Sequence, residues 1–336
     1  PIKDSPAYKA GIQAGDLIVG VKRDSDPNGL PLQPDDQREF STQGMKTDDA
    51  IKIILGKPGV PITLTVERDG KPTDYTLNRG RVRVESVFGV TRDKNDEWQF
   101  WLDEAAGVAY IRLTSFDPNS ARDIKTALLE MRKTGKLKGL VFDLRFNPGG
   151  LLNIAIEICE LFLPGGKVVS VKPRVGRESV ARAPGPGPFA DLPVVVLING
   201  GSASASEIVS ACLQDHERAT IIGERSYGKG SVQSLSLLSS IGGQVKFTTA
   251  RYFPPSGRNI DKLSTDGKDD EEWGVKPDAG REIKLTRGET RDLAESLRES
   301  EIIRPDGKAN PNPKKFDDTQ LAAAVKLLKE KLAVRK

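Results

Sequence analysis

The 336-residue sequence holds one histidine, His216, and two cysteines, Cys159 and Cys212, far apart in the chain. These scarcities exclude several chemistries at once. A three-histidine or HExxH zinc site cannot be built, no CxxC pair exists, and a Ser-His-Asp triad would have to run through His216 alone. Both cysteines fall inside apolar, helix-like stretches, IAIEICELF and EIVSACLQ, where a small buried thiol is expected and no compartment is indicated. Long apolar runs are missing too: no stretch approaches the roughly 18 residues that span a bilayer. Lys plus Arg number 51 against 47 Asp plus Glu, a formal net charge of only +4, so no excess of positive charge demands a nucleic acid. The chain starts at Pro1 with neither methionine nor leader, which leaves room for an upstream export signal or anchor.

At roughly 150 residues per domain the length predicts about two domains. Residues 1–80 alternate short apolar runs with turn residues: AGDLIVGV, the helix-like DDAIKIILG, then VPITLTVERDGKPTDYTL with a hairpin signal at Asp69-Gly70. This reads as a small β-rich domain with one amphipathic helix, interrupted by a long polar loop around residues 23–43. A connecting β segment, 81–106, follows. Over 107–286 strands alternate with helices: AGVAYIRLTSF, NSARDIKTALLEMRKTG, GLVFDLRF, LLNIAIEICELFL, VVSVK, PVVVLING, SASEIVSACLQ and ATIIGE. That alternation predicts an α/β core with a mostly parallel sheet. APGPGPF (183–189) can only be loop, and 287–336 is polar and ends in an amphipathic helix over DDTQLAAAVKLLKEKL.

Ligands of such sheets bind beyond the carboxyl ends of the strands, which singles out three segments. The first, Asp143-Leu144-Arg145-Phe146-Asn147-Pro148-Gly149-Gly150, places paired glycines at a helix start, where bare N–H groups can approach a negative oxygen. The plain alternative is a strand-to-helix turn. The second, Asn199-Gly200-Gly201-Ser202-Ala203-Ser204-Ala205-Ser206-Glu207, can hold a serine hydroxyl above the sheet beside N–H groups facing an oxyanion. Taken alone, its Ser204-x-x-Glu207 spacing favours a capping box, to which Glu207 is assigned. The third, Gly223-Glu224-Arg225-Ser226-Tyr227-Gly228-Lys229-Gly230, imitates a P-loop, but Gly230 stands where Ser or Thr would hold magnesium and the strand-like SVQSLSLLSS replaces the required helix. A lysine between glycines instead reads as a cation able to sit partly desolvated under the main chain, or simply as a solvated loop lysine. Serine at a helix start, lysine and bare N–H groups together make a Ser-Lys acyl-transfer site, which needs no histidine.

At these residues the chain resembles the carboxyl-terminal processing proteases, also called tail-specific proteases, which join a PDZ domain to a Ser-Lys core. The resemblance covers nearly the whole chain. It runs through SPAYKAGIQAGDLIVGV, IKIILGKPGVPITLTVERDG, AGVAYIRLTSF, GLVFDLRFNPGGLL, VLINGGSASASEIVSACLQDHERATIIGERSYGKGSVQ and GVKPD. It implies Ser204 as nucleophile, Lys229 as general base, Gln233 as the residue orienting that lysine, and an oxyanion hole from the N–H groups of Ala205 and Gly149. It further implies a structural role for Asp215, no catalytic role for His216, and no metal or cofactor. The expected partners are protein substrates with unstructured C-terminal tails, not nucleic acid or nucleotide; a homo-oligomer or an adaptor is compatible with it. The implied setting is extracytoplasmic, in a bacterial periplasm or envelope. The carboxylate-binding loop and strand of the family's PDZ domain precede the stretch matching PIKDSPAYKAG, so a truncated PDZ domain is expected here. The competing reading is a PDZ-bearing adaptor with an inactive core.

Overall fold

The computed structural model describes residues 1–238, 243–304 and 316–334. The chain divides into two compact units. The first comprises Pro1–Glu85 with Arg92–Glu97 and the segment from Arg298. Its centre is a four-stranded antiparallel sheet in the order Glu39–Ser41, Leu17–Lys22, Pro61–Arg68, Lys71–Asn78. Ile62, Leu64 and Val66 alternate inward along one strand and pack with Ile12, Val21 and, from the helix Thr47–Ile54, Ile53 and Ile54. The Asp69-Gly70 turn closes the hairpin with positive φ at both residues, 51° and 74°, the geometry that selects this dipeptide. The predicted long loop contains a strand, Glu39–Ser41, too short and polar to read from its own residues; the neighbour Leu17–Lys22 supplies its pairing.

The second unit comprises Ser86–Thr91, Trp98–Leu297 and the C-terminal segment described from Phe316. Four parallel strands lie in the order Ala219–Gly223, Val194–Ile198, Gly139–Asp143, Val108–Leu113, and Val87–Phe88 and Trp101–Asp103 add antiparallel pairings at the last. The strands are apolar on both faces because both faces are covered. Leu140, Phe142, Val194 and Val196 belong to the cluster built with the helices Ser120–Lys133, Leu152–Phe162 and Ala205–Asp215. Val141, Val195 and Leu197 face Ala324, Leu327 and Leu328 of the terminal helix Thr319–Val334. Cys159 and Cys212 are free and fully buried in the first of these clusters.

A correction to the mostly parallel architecture concerns VVSVK. It lies in Gly166–Pro173, within a separate antiparallel sheet ordered Ser179–Ala183, Gly166–Pro173, Gly243–Phe253, Ser231–Leu238. The core therefore mixes parallel and antiparallel sheets. Periodicity reports that a segment is extended, not which distant strand it meets. His216 caps the end of the helix Ala205–Asp215 with its Nε2 2.7 Å from the Lys167 carbonyl oxygen. Among the described residues no helix is long and apolar enough to cross a membrane.

Candidate active site

The strand Val194–Ile198 runs into the Asn199–Ala203 turn and then into Ser204, which has φ 56° and ψ −114° just before the helix Ala205–Asp215. A non-glycine residue in that region costs about 1 to 3 kcal/mol and persists only where its surroundings over-determine it. They do here. The Ala203 N–H donates to the Asn147 carbonyl oxygen (3.0 Å), the Ser202 hydroxyl to Leu144 O (2.8 Å) and the Ser206 hydroxyl to Asn147 O (2.9 Å). Ser202 and Ser206 are fully buried, whereas Ser204 is half-buried, so of the three serines only Ser204 is presented to solvent.

Against this turn lies the glycine segment. Gly149 has φ 102°, and a Cβ there would stand 2.7 Å from Ala203 O, 2.8 Å from Ser204 Cβ and 2.9 Å from Ala205 N. Glycine is required both by the backbone conformation and by that approach. We expect Gly149→Ala to lower the melting temperature, because the serine turn must shift to admit a methyl group. Thermal melting checks this; a wild-type value would contradict it. The Ala205 N–H, at the first helical position, has no hydrogen-bond acceptor among the described residues. The Gly149 N–H, expected to face an oxyanion, donates instead to Asn147 Oδ1 at 2.9 Å, an Asx turn that closes on itself.

The lysine turn is joined to the serine turn through Glu207, which is fully buried. Its Oε2 accepts the N–H of Ser204 and the N–H of Lys229, each at 2.8 Å. The two amide nitrogens are therefore separated by at most twice that distance. Its Oε1 accepts the Ser226 hydroxyl (2.6 Å) and the Gly228 N–H (2.7 Å). Burial pushes the Glu207 carboxyl above the ordinary glutamate value, against hydrogen bonds that favour the ionised form. The Tyr252 hydroxyl, itself buried and pushed upward in pKa by desolvation, donates to the Lys229 carbonyl oxygen. The Ser226 hydroxyl accepts from the Val275 N–H at 2.7 Å, and the Tyr227 N–H donates to Ser202 O at 3.0 Å.

Lys229 is half-buried, and its ammonium has no hydrogen bond or ion pair among the described residues. Gln233, four residues on in the strand Ser231–Leu238, is exposed and its side chain makes no hydrogen bond to Lys229. Asp215 lies at the far end of the serine helix, paired with Arg258 at 2.7 Å and accepting the Ser256 N–H at 2.8 Å. The P-loop likeness disappears, because the Gly228 and Lys229 N–H groups are engaged by a carboxylate and a strand follows. No group of three or more His, Cys, Asp or Glu among the described residues is placed to hold a metal ion. Sequence reasoning reached Glu207 only as half of a cap and passed over Ser226 and Tyr252. The one available signal was the Ser204-x-x-Glu207 spacing, which does place a Glu207 oxygen on the Ser204 N–H.

Residues 107–280 match the model of peptidase family S41. Over 98% of its length the chain is 36% identical to a carboxy-terminal-processing protease of Bartonella bacilliformis, of which it spans 70%. It is 34% identical over 78% of its length to the carboxyl-terminal-processing protease of a Synechocystis strain, of which it spans just over half, 56%. A crystal structure of a putative S41 protease from Bacteroides fragilis covers 98% of this chain and is itself covered to 76%, with TM-score 0.51 at 17% identity, a likeness of fold. Since the match takes in both the Ser204 turn and the Lys229 turn along with the sheet that carries them, the chain belongs to peptidase family S41, among its carboxy-terminal processing proteases.

Proposed function

We propose that the protein is a serine endopeptidase that works through a Ser204–Lys229 dyad. The observation that carries this reading is the single Glu207 oxygen accepting both main-chain amides, which brings a strained, solvent-reached serine and an unpaired lysine to one place. Lys229 takes the Ser204 proton as Ser204 attacks a peptide carbonyl, and then protonates the leaving amine. The Ala205 N–H, at the positive end of its helix, supplies one oxyanion donor, and the Gly149 N–H the second once the oxyanion takes it from Asn147 Oδ1. Water resolves the acyl-enzyme. Gln233 serves to orient the lysine once substrate closes over the strand.

The first unit, a small antiparallel sheet with one helix, is read as part of a PDZ domain, and the substrates as proteins recognised through their C-terminal tails. The setting is extracytoplasmic, by likeness to the family. A fluorophosphonate probe tests the chemistry: labelling of the wild type at Ser204, located by peptide mass, and none of Ser204→Ala is expected. An unlabelled wild type that is folded would leave a PDZ-bearing adaptor with an inert core.

A further inference from the structure

Arg145 is the largest fully buried side chain among the described residues, a cation with no access to water. Locally it is paired with Asp143, with Nε 3.0 Å from Oδ1 and Nη2 2.6 Å from Oδ2, and Tyr110 donates its hydroxyl to the same carboxylate at 2.9 Å. Its remaining donors go to the distant end of the chain. Nη1 and Nη2 reach the two oxygens of Asp318 at 2.9 and 2.7 Å, and Nη1 also reaches Gln320 Oε1 at 3.1 Å. Asp318 caps the terminal helix through the Leu321 N–H at 2.9 Å, and Gln320 Nε2 donates to Ile283 O at 2.8 Å.

Ala324, Leu327 and Leu328 already bury the terminal helix against the sheet, so the helix has an apolar reason to dock without these charges. A buried ion pair adds little net stability; what it adds best is fixed geometry. The geometry in question begins one residue later. Phe146 has φ 59° and donates its N–H to Asn199 Oδ1 at 2.9 Å. The carbonyls of Leu144 and Asn147, on either side of Arg145, accept the Ser202, Ala203 and Ser206 hydrogen bonds that hold the Ser204 turn. Arg145 thus sits in the chain between the two carbonyls that hold the Ser204 turn.

We propose that Asp318 is a positioning residue for catalysis. Through its ion pair with Arg145 it holds the Leu144–Gly149 main chain against the Ser204 turn, a polar tie separate from the helix's apolar docking. This rests on the Ser-Lys reading above. Asp318→Asn isolates the link, because asparagine caps a helix as well as aspartate does while removing the second carboxylate from Arg145. Leu328→Ala is the control, since it loosens the same helix on its apolar side.

The full-length variants are acylated with the fluorophosphonate probe, separating the maximal labelling rate from probe affinity. Asp318→Asn should lower the maximal rate by about tenfold or more with affinity unchanged, whereas Leu328→Ala, at an equal or larger loss of melting temperature, should stay within about twofold. A wild-type rate in Asp318→Asn, or a loss that merely follows melting temperature in both variants, would overturn the proposal. Amide exchange over residues 144–150 decides the matter even if Ser204 is never labelled. Faster exchange there in Asp318→Asn alone supports the latch, and unchanged exchange refutes it, while silence of the wild type toward the probe counts against the Ser-Lys dyad only.

Discussion

Lys229→Ala is expected to reduce peptide hydrolysis by about a thousandfold while shifting the melting temperature by no more than a few degrees. The two halves of that expectation come from different atoms. The lysine turn is held by its main chain: its N–H by Glu207, its carbonyl by Tyr252, and its flanking glycines by close packing. A Cβ at Gly228 would stand 2.7 Å from Lys262 Cβ and 2.9 Å from Trp273 Cε3, and one at Gly230 would stand 2.6 Å from Asp261 Cβ. The side chain beyond Cβ has no hydrogen bond or ion pair among the described residues, so truncating it removes little that folding uses. Catalysis, on the dyad proposed above, loses the base that takes the Ser204 proton. Lys229→Arg should be equally inactive, since a guanidinium keeps the charge and does not give up its proton. Full activity in either variant, measured with a peptide substrate, would remove Lys229 from the mechanism.

Glu207→Gln should damage both activity and fold. The carboxylate accepts at least two donors on each oxygen, and glutamine has only one oxygen to offer. With the amide nitrogen in place of Oε2, the Ser204 and Lys229 N–H groups face another donor and the tie between the two turns is cut. With the amide in place of Oε1, the Gly228 N–H is left unpaired in a buried site. Either way at least one desolvated donor goes unsatisfied, a cost of about 1 to 3 kcal/mol for each. The serine and lysine turns also lose their common anchor, for which we expect a fall of a hundredfold or more in kcat/KM. Denaturant unfolding and steady-state kinetics together test this. A variant with the wild-type unfolding midpoint would show that the turns are held by other means.

The architecture was legible in proportion to how local its causes are. The helices over Ser120–Lys133, Leu152–Phe162, Ala205–Asp215 and Thr319–Val334 and the hairpin at Asp69-Gly70 announce themselves by periodicity and turn chemistry. The strands Glu39–Ser41 and Ser179–Ala183 do not, because they are short and extended only by virtue of their neighbours. The antiparallel sheet around Gly166–Pro173 was likewise hidden, since pairing direction depends on a partner some eighty residues away, Gly243–Phe253.

The same division runs through the site. One histidine and two separated cysteines were enough to exclude zinc and disfavour the histidine triad, the glycine-rich turns after apolar strands pointed to a serine and a lysine, and the family resemblance picked out Ser204 and Lys229. Which serine of the run meets solvent was decided only in three dimensions, where Ser202 and Ser206 hand their hydroxyls to carbonyls of the neighbouring turn. So was the meaning of Glu207, a helix cap by spacing and a bridge between two turns by contact, and the engagement of the Gly149 N–H by Asn147. Composition and local pattern state which chemistries a chain has the groups for. Which of those groups are joined depends on hydrogen bonds between residues far apart in sequence, and no local pattern carries them.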